Sequence, residues 1–241
     1  MAYNYLGLTN DVAQRLNEIE LSSSNFAGAT GVYGTMKQSV NSAIQYINQD
    51  TFQWPFNFTS YEETLVAGTA RYSYQSDAKW VDFNTFRIKR DDTFGNSTQK
   101  LHLLDYEQYL HTKVDDEYNS DTGIRDLPRT VSQTPDQQFV LNPVPDEAYV
   151  LEYEYYQKAV DMVDYDDVPS VPADFRHIIV DGAMYYNHLF RSDYEAADRA
   201  FSKFETGIGN MRKNYVNRFE YVRDTRLLHY TGSNYGYLRV T

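Results

Sequence analysis

The 241-residue chain contains no cysteine, which excludes a disulfide scaffold, thiolate metal ligands and a cysteine nucleophile. It is also short of positive charge. Lys and Arg number 22 against 34 Asp and Glu, a net charge of −12 and a pI near 4.8. Proteins that coat nucleic acid bind by neutralising phosphates, so this balance excludes that class. No apolar run approaches the roughly 18 residues of a membrane span. No basic stretch followed by an apolar one marks a signal peptide after Met1. The expectation is a soluble protein made in a cytoplasm. Catalytic signatures are missing as well. His102, His111, His177, His188 and His229 include no i, i+4 pair and no HExxH pattern, and neither a GxSxG elbow nor a Walker loop occurs. Gly207 and Gly209 look like half a dinucleotide fingerprint, but they sit in a helical stripe with no strand before it.

Aromatic residues, by contrast, are plentiful. There are 23 Tyr and 13 Phe, and aromatics make up 16% of the chain. Tyrosine packs one side of its ring and keeps its hydroxyl wet, which suits an interface; a Tyr-rich β surface without a partner fits equally well. Two acidic clusters stand out, Asp161, Asp164, Asp166 and Asp167 in one loop and Asp115, Asp116, Glu117 and Asp121 in another. Closely set carboxylates bind Ca²⁺ or serve as an acid/base pair in glycoside hydrolysis. Neither cluster has the order of an EF-hand loop, and solvated acidic loops are the plainer reading.

Periodicity divides the chain into helices, strands and helices again. Val12, Leu16 and Ile19 predict a short helix capped by Thr9 or Asn10. Val32, Met36, Val40, Ala43, Ile44 and Ile47 predict a longer one that starts near Thr30 and ends before Trp54-Pro55. From Phe58 the period shortens. Residues 63–66 and 71–74 flank Ala67–Thr69 and read as a hairpin, and residues 85–89 and 100–103 read as a second. A short helix over Asp105–Asp116 is expected to lie across that second sheet. Further strands are expected at Arg129–Gln133, Phe139–Leu141 and Tyr149–Tyr156, the last with Tyr149, Leu151, Tyr153 and Tyr155 on one face. After the acidic loop, Pro172 and Asp174 open a helix with Phe175, Ile178, Ile179, Gly182, Tyr186 and Leu189 on one side. Asp193 opens another, striped by Ala197, Ala200, Phe201, Phe204, Ile208, Met211 and Tyr215 and extending towards Phe219 and Val222.

These elements predict an α+β fold: a terminal helical bundle, with N-terminal helices plus two long C-terminal helices, an inserted antiparallel β domain and an extended C-terminal tail. The expected boundaries are 1–57 and 172–222 for the bundle, 58–171 for the β domain and 223–241 for the tail. Charge is distributed unevenly over this plan. Six bases against two acids from Arg212 onward give that stretch +4 and leave −16 for residues 1–211. An acidic body with a basic, aromatic end is an arrangement for docking. The candidate partner-binding residues are Arg218, Phe219, Tyr221, Arg223, Arg226, Leu227, Leu228, Tyr235 and Tyr237, because arginine beside aromatic and aliphatic anchors is the composition of an interface hot spot.

The order of features along the whole chain resembles the head-to-tail adaptor (connector) proteins of tailed bacteriophages, and is similar to the tail tubular protein A group of short-tailed phages. The stretches that carry the resemblance are Tyr5–Val12, Tyr46–Asn48 with Trp54–Asn57, Glu63–Thr69, Leu141–Asp146, Tyr153–Tyr156, Val168–Pro172 and Ile179–Tyr186, completed by Arg191 and Phe204–Met211. The Tyr235-Gly236-Tyr237 end falls outside the family pattern. What the resemblance implies is a structural virion protein rather than an enzyme, with no cofactor and no metal. It implies a twelve-membered homo-oligomeric ring in the virion neck, bound to the portal protein above through its C-terminal segment and to a tail or nozzle protein below. Genomic DNA passes through the lumen without specific binding, and the Tyr-rich face becomes a subunit interface. The competing class is a tail-associated carbohydrate-binding or carbohydrate-degrading module, in which the Tyr153 face stacks sugars.

Overall fold

A computed structural model describes residues 3–49, 52–92, 95–119 and 121–215. The chain forms two compact units, one from Met1–Phe52 and Asp161–Thr241, the other from Gln53–Val160. The fold class is α+β, and two long helices close the described chain.

The helical unit contains α1 (Tyr5–Arg15), α2 (Val32–Gln49), α5 (Arg176–Phe190) and α6 (Tyr194–Tyr215). The centres of the stripes read from the sequence form its core, while Val32 is exposed and Phe175, Tyr186, Leu189, Ala200, Phe201 and Tyr215 are half-buried. Met36, Val40, Ala43, Ile44 and Ile47 of α2 are buried, as are Ile178 and Ile179 of α5 and Ala197, Phe204, Ile208 and Met211 of α6. Two glycines let these helices approach closely. A Cβ at Gly182 would stand 2.7 Å from the Phe204 ring and 2.9 Å from the Ala43 Cβ, and one at Gly207 would stand 2.9 Å from Ile178 Cγ1. The start of α1 differs from expectation. Asn4 is the cap, its Oδ1 accepting the Gly7 N–H at 2.9 Å. Thr9 lies inside the helix and donates to the Tyr5 carbonyl, while the Asn10 amide exchanges hydrogen bonds with both backbone groups of Leu21. Leu16 is the C-cap, so the stripe stops short of Ile19, which is 82% exposed.

The second unit is a two-sheet sandwich. Its strands are β1 (Phe58–Thr64), β2 (Arg71–Ser73), β3 (Ala78–Asp92), β4 (Gly95–Lys100), β5 (His102–Leu103), β6 (Thr130–Gln133), β7 (Gln138–Asn142) and β8 (Val150–Gln157). One sheet runs β1-β8-β3-β4, the other β2-β7-β6-β5. The inner faces meet over Phe83, Phe86, Phe139, Leu151, Tyr153 and Tyr155, with Phe86 stacked on Tyr153 at 4.8 Å and on Phe83 at 5.0 Å. Phe83 and Phe86 both face inward because β3 bulges between Asp82 and Arg87. Thr85 fills the interrupted ladder, its Oγ1 accepting the Glu154 N–H at 2.9 Å.

Two strand expectations are corrected. The second hairpin forms as β3 and β4 but is displaced: Arg87–Asp92 pair with residues 95–100, largely inside the stretch expected as a loop, and His102–Leu103 belong to β5 of the other sheet. β1 and β2 are not a hairpin: β1 pairs with β8 and β2 with β7, in different sheets. The turn at Gly68, which needs glycine for its φ of +81°, is instead the corner where the chain changes sheets. The helical stretch after Asp105 consists of α3 (Tyr106–Thr112) and α4 (Val114–Tyr118), and it covers the outer face of the other sheet through Tyr109, Ala70, Val140 and Val144.

On β1, Thr59, Tyr61 and Glu63 point towards the sandwich interior. One Glu63 carboxylate oxygen is buried without a hydrogen-bond partner among the described residues, and burial raises its pKa above the usual range. A raised folded-state pKa means the native state holds this proton more tightly than the unfolded chain. The contribution is therefore full below the unfolded value of about 4.3 and is lost as pH rises through the folded value. Glu63→Gln is expected to stabilise the protein by about 1 kcal/mol at pH 7.5, since an unpaired buried charge is removed. Urea melts at pH 7.5 and 5 test this: the gain should shrink on going to pH 5, and a loss of stability at pH 7.5 would contradict it.

Candidate functional site

The residues singled out for partner binding, Arg218, Phe219, Tyr221, Arg223, Arg226, Leu227, Leu228, Tyr235 and Tyr237, lie outside the described residues, as do Phe219 and Val222 of the extended α6 stripe. The surfaces that remain to be weighed are the acidic loops, the clefts and the open face of the β1-β8-β3-β4 sheet.

The acidic loop 161–167 is a structural clasp. Asp167 Oδ2 accepts the N–H groups of Val163 and Asp164 at 2.7 and 2.8 Å. The carbonyls of Asp167 and Tyr165 accept the Tyr5 and Leu6 N–H groups, two of the donors left over at the start of α1. Carboxylates gathered there also complement the positive end of that helix. From α2, Asn41 brackets Met162 with two backbone hydrogen bonds and Gln45 donates to Asp161. The second acidic cluster is spent in the same way. Glu117 takes a bidentate contact from Arg71 at 2.6 and 3.0 Å and the Tyr109 hydroxyl at 2.9 Å. Burial alone would raise the Glu117 pKa, but these bonds outweigh it and hold the carboxyl below its ordinary range. Asp116 accepts from Asn142, and Asp121 caps the turn Thr122–Ile124. Among the described residues no three His, Asp or Glu side chains are grouped to hold a metal ion. His177 is exposed beside the Asp174 carbonyl.

The Tyr-rich face of β8 is not a surface. Leu151 and Tyr153 are fully buried and Tyr155 nearly so, because the second sheet lays Phe139 over them. Neither a subunit interface nor a sugar platform can be built on Tyr153. The exposed rings lie on the opposite face, where Phe58, Tyr156 and Trp80 form a row across three adjacent strands at centroid spacings of 5.4 and 5.7 Å. Beside them runs a charged ladder. Arg87 bonds Glu152 and Glu154 at 3.2 Å, and Lys89 reaches Glu62 at 2.5 Å and Glu152 at 3.3 Å. This ladder follows from cross-strand register that single-sequence reading does not supply.

Two clefts are lined largely by polar side chains. One of about 500 Å³ lies between Leu103–Tyr106 and the turn Thr134–Gln137, and its one carboxylate, Asp105, caps α3. Another, of about 350 Å³, is lined along α2 by Gln38, Asn41, Ser42, Gln45 and Gln49. At the rim Tyr46 donates to Glu205 at 2.6 Å, a bond that with burial pushes its pKa up to about 12. Amides, the hydrogen-bonded Tyr46 and the Asp161 carboxylate, which accepts from Gln45, line this cleft. No helix among the described residues is long and apolar enough to cross a membrane.

A family model described as SU10 adaptor protein matches residues 3–227. The chain therefore belongs to the SU10 adaptor protein family, a family of phage structural adaptors. The match ends at Leu227. No curated protein matches the chain.

Proposed function

We propose that this SU10 adaptor is a head-to-tail connector of the kind represented by the tail tubular protein A group, a ring of twelve copies in the virion neck. The portal protein binds one side, a tail or nozzle protein binds the other, and genomic DNA moves through the lumen. The observation that carries the reading is the family match over residues 3–227. Charge supports it. A body of −16 repels phosphates and favours sliding over adhesion. The basic, aromatic stretch from Arg218 to Tyr237 is the segment proposed to dock on the portal.

The protein on its own is expected to sediment as a monomer at physiological salt, because like charge opposes self-association, and to join purified portal as a ring. Sedimentation velocity with and without portal distinguishes the outcomes. A stable dodecamer without portal would overturn assembly on the portal, and absence of co-sedimentation would overturn the portal as partner.

A further inference from the structure

The sandwich treats the edges of its two sheets differently. The second sheet ends in β2 and β5, three and two residues long. Short edge strands are one of the ways proteins avoid pairing with other chains. The first sheet ends in β1 and β4, seven and six residues long. β1 pairs with β8 in unbroken register from Phe58 to Thr64 and contains neither proline, glycine nor bulge. These two edges are long enough to take a further strand, while the inward-pointing Glu63 on β1 and the exposed Lys100 on β4 are charges that disfavour indiscriminate pairing.

Both edges present free main-chain groups at known positions. The Leu65 N–H donates to the Tyr149 carbonyl, so alternate residues Glu63 and Tyr61 face β8, and Ser60, Glu62 and Thr64 turn their N–H and C=O groups away from it. In the same way the Leu101 N–H donates to the Phe86 carbonyl, so Gln99 faces β3 while Thr98 and Lys100 face outward. With four antiparallel strands, β1 and β4 run in opposite directions. A β1 laid beside the β4 of another copy is therefore antiparallel to it, with side chains kept on the same face.

Charge supplies the match between the two edges. Glu62, Glu152, Arg87 and Lys100 are successive cross-strand neighbours on the open face. On the β1 side, Glu62, Glu152 and Glu154 share only Arg87 and Lys89, one carboxylate in excess. At the far end Lys100 is exposed and makes no ion pair among the described residues. The row is acidic at one edge and basic at the other.

We propose that β1 of one copy pairs antiparallel with β4 of the next, Glu62 opposite Lys100, so that the sheet continues from subunit to subunit. Such a contact joins two different edges. It is heterologous and generates a ring when the rotation between copies closes. The inference rests on the homo-oligomeric reading above and gives that ring an interface.

The cysteine-free background allows a direct test. Opposed residues in a hydrogen-bonded pair have Cα atoms about 5.5 Å apart, within the usual disulfide span of roughly 4.4–6.8 Å. Full-length Glu62→Cys and Lys100→Cys proteins are mixed on purified portal, where the copies are expected to gather, and oxidised with copper phenanthroline, alongside each variant alone and the double variant on portal. The mixture is expected to give covalent dimer several-fold above either variant alone, and the double variant a ladder of multimers. Sedimentation of the same samples reads assembly separately. Multimers without the mixed cross-link overturn the edge pairing and leave the ring standing. Mixed dimers with no ladder from the double variant keep the pairing and overturn the ring. No mixed dimer under any condition overturns the pairing.

Discussion

Replacing Gly182 by valine is expected to cost the helical unit about 3 kcal/mol, the upper part of the range for overpacking a well-filled core. The first atom added would stand 2.7 and 2.8 Å from two carbons of the Phe204 ring on α6 and 2.9 Å from the Ala43 Cβ on α2. Phe204 and Ala43 are themselves fully buried, so neither has room to retreat, and valine adds two further carbons at the same place. Alanine should cost less, about 1–2 kcal/mol, because a helical glycine replaced by alanine regains close to 1 kcal/mol of propensity. Gly209 is the internal control. A Cβ there meets nothing within 4 Å, so Gly209→Ala should stabilise by up to about 1 kcal/mol. Thermal melts followed by helical circular dichroism should rank the proteins Gly209→Ala, wild type, Gly182→Ala, Gly182→Val. A Gly182→Val protein that melts with wild type would mean that the three helices do not meet at this residue.

That close approach was only half legible beforehand. The stripes on α2, α5 and α6 identify which residues face a core, and burial of Val40, Ile44, Phe204 and Ile208 follows them. A periodic stripe does not say which partner helix comes nearest, so Gly182 reads as one more small residue on a face. The same limit explains the strand corrections. Residues 63–74 contain every local signal of a hairpin, but sheet membership was decided by partners more than 60 positions away, Tyr149 for Leu65 and Phe139 for Tyr72. Alternation along β8 groups Leu151, Tyr153 and Tyr155 on one face without saying whether that face is covered. At α1, Asn4, Thr9 and Asn10 are all competent caps. Asn4 starts the helix earlier, so Thr9 bonds back to the Tyr5 carbonyl within α1 and Asn10 holds Leu21 beyond it. The charged row from Glu62 to Lys100 was out of reach for the same reason, because its members come from four strands.

Ending the chain after Tyr215 is expected to abolish attachment to the portal while leaving the melting temperature close to that of the full protein. The stability half of this expectation comes from the core. Among the described residues, the buried side chains of α6 end at Met211, so the shortened chain keeps every one of them. The deleted segment contains Arg218, Arg223, Arg226 and Arg239 against Glu220 and Asp224, and its loss takes the net charge from −12 to −14. The binding half comes from composition and entropy. Fixing each residue of a docked segment costs about 1–2 kcal/mol of backbone freedom, so a segment that docks needs strong anchors. Phe219, Tyr221, Leu227 and Leu228 supply apolar area, and the interleaved arginines supply planar, multidentate donors for carboxylates and carbonyls. Exchanging Arg223 and Arg226 for glutamate keeps the length and the apolar anchors and reverses the charge, and it should weaken capture by portal at least tenfold. Pull-down on immobilised portal, read with melts of the same samples, separates docking from folding. Capture of the truncated protein at wild-type levels would show that the segment serves some other partner and that the portal contact lies on the folded body.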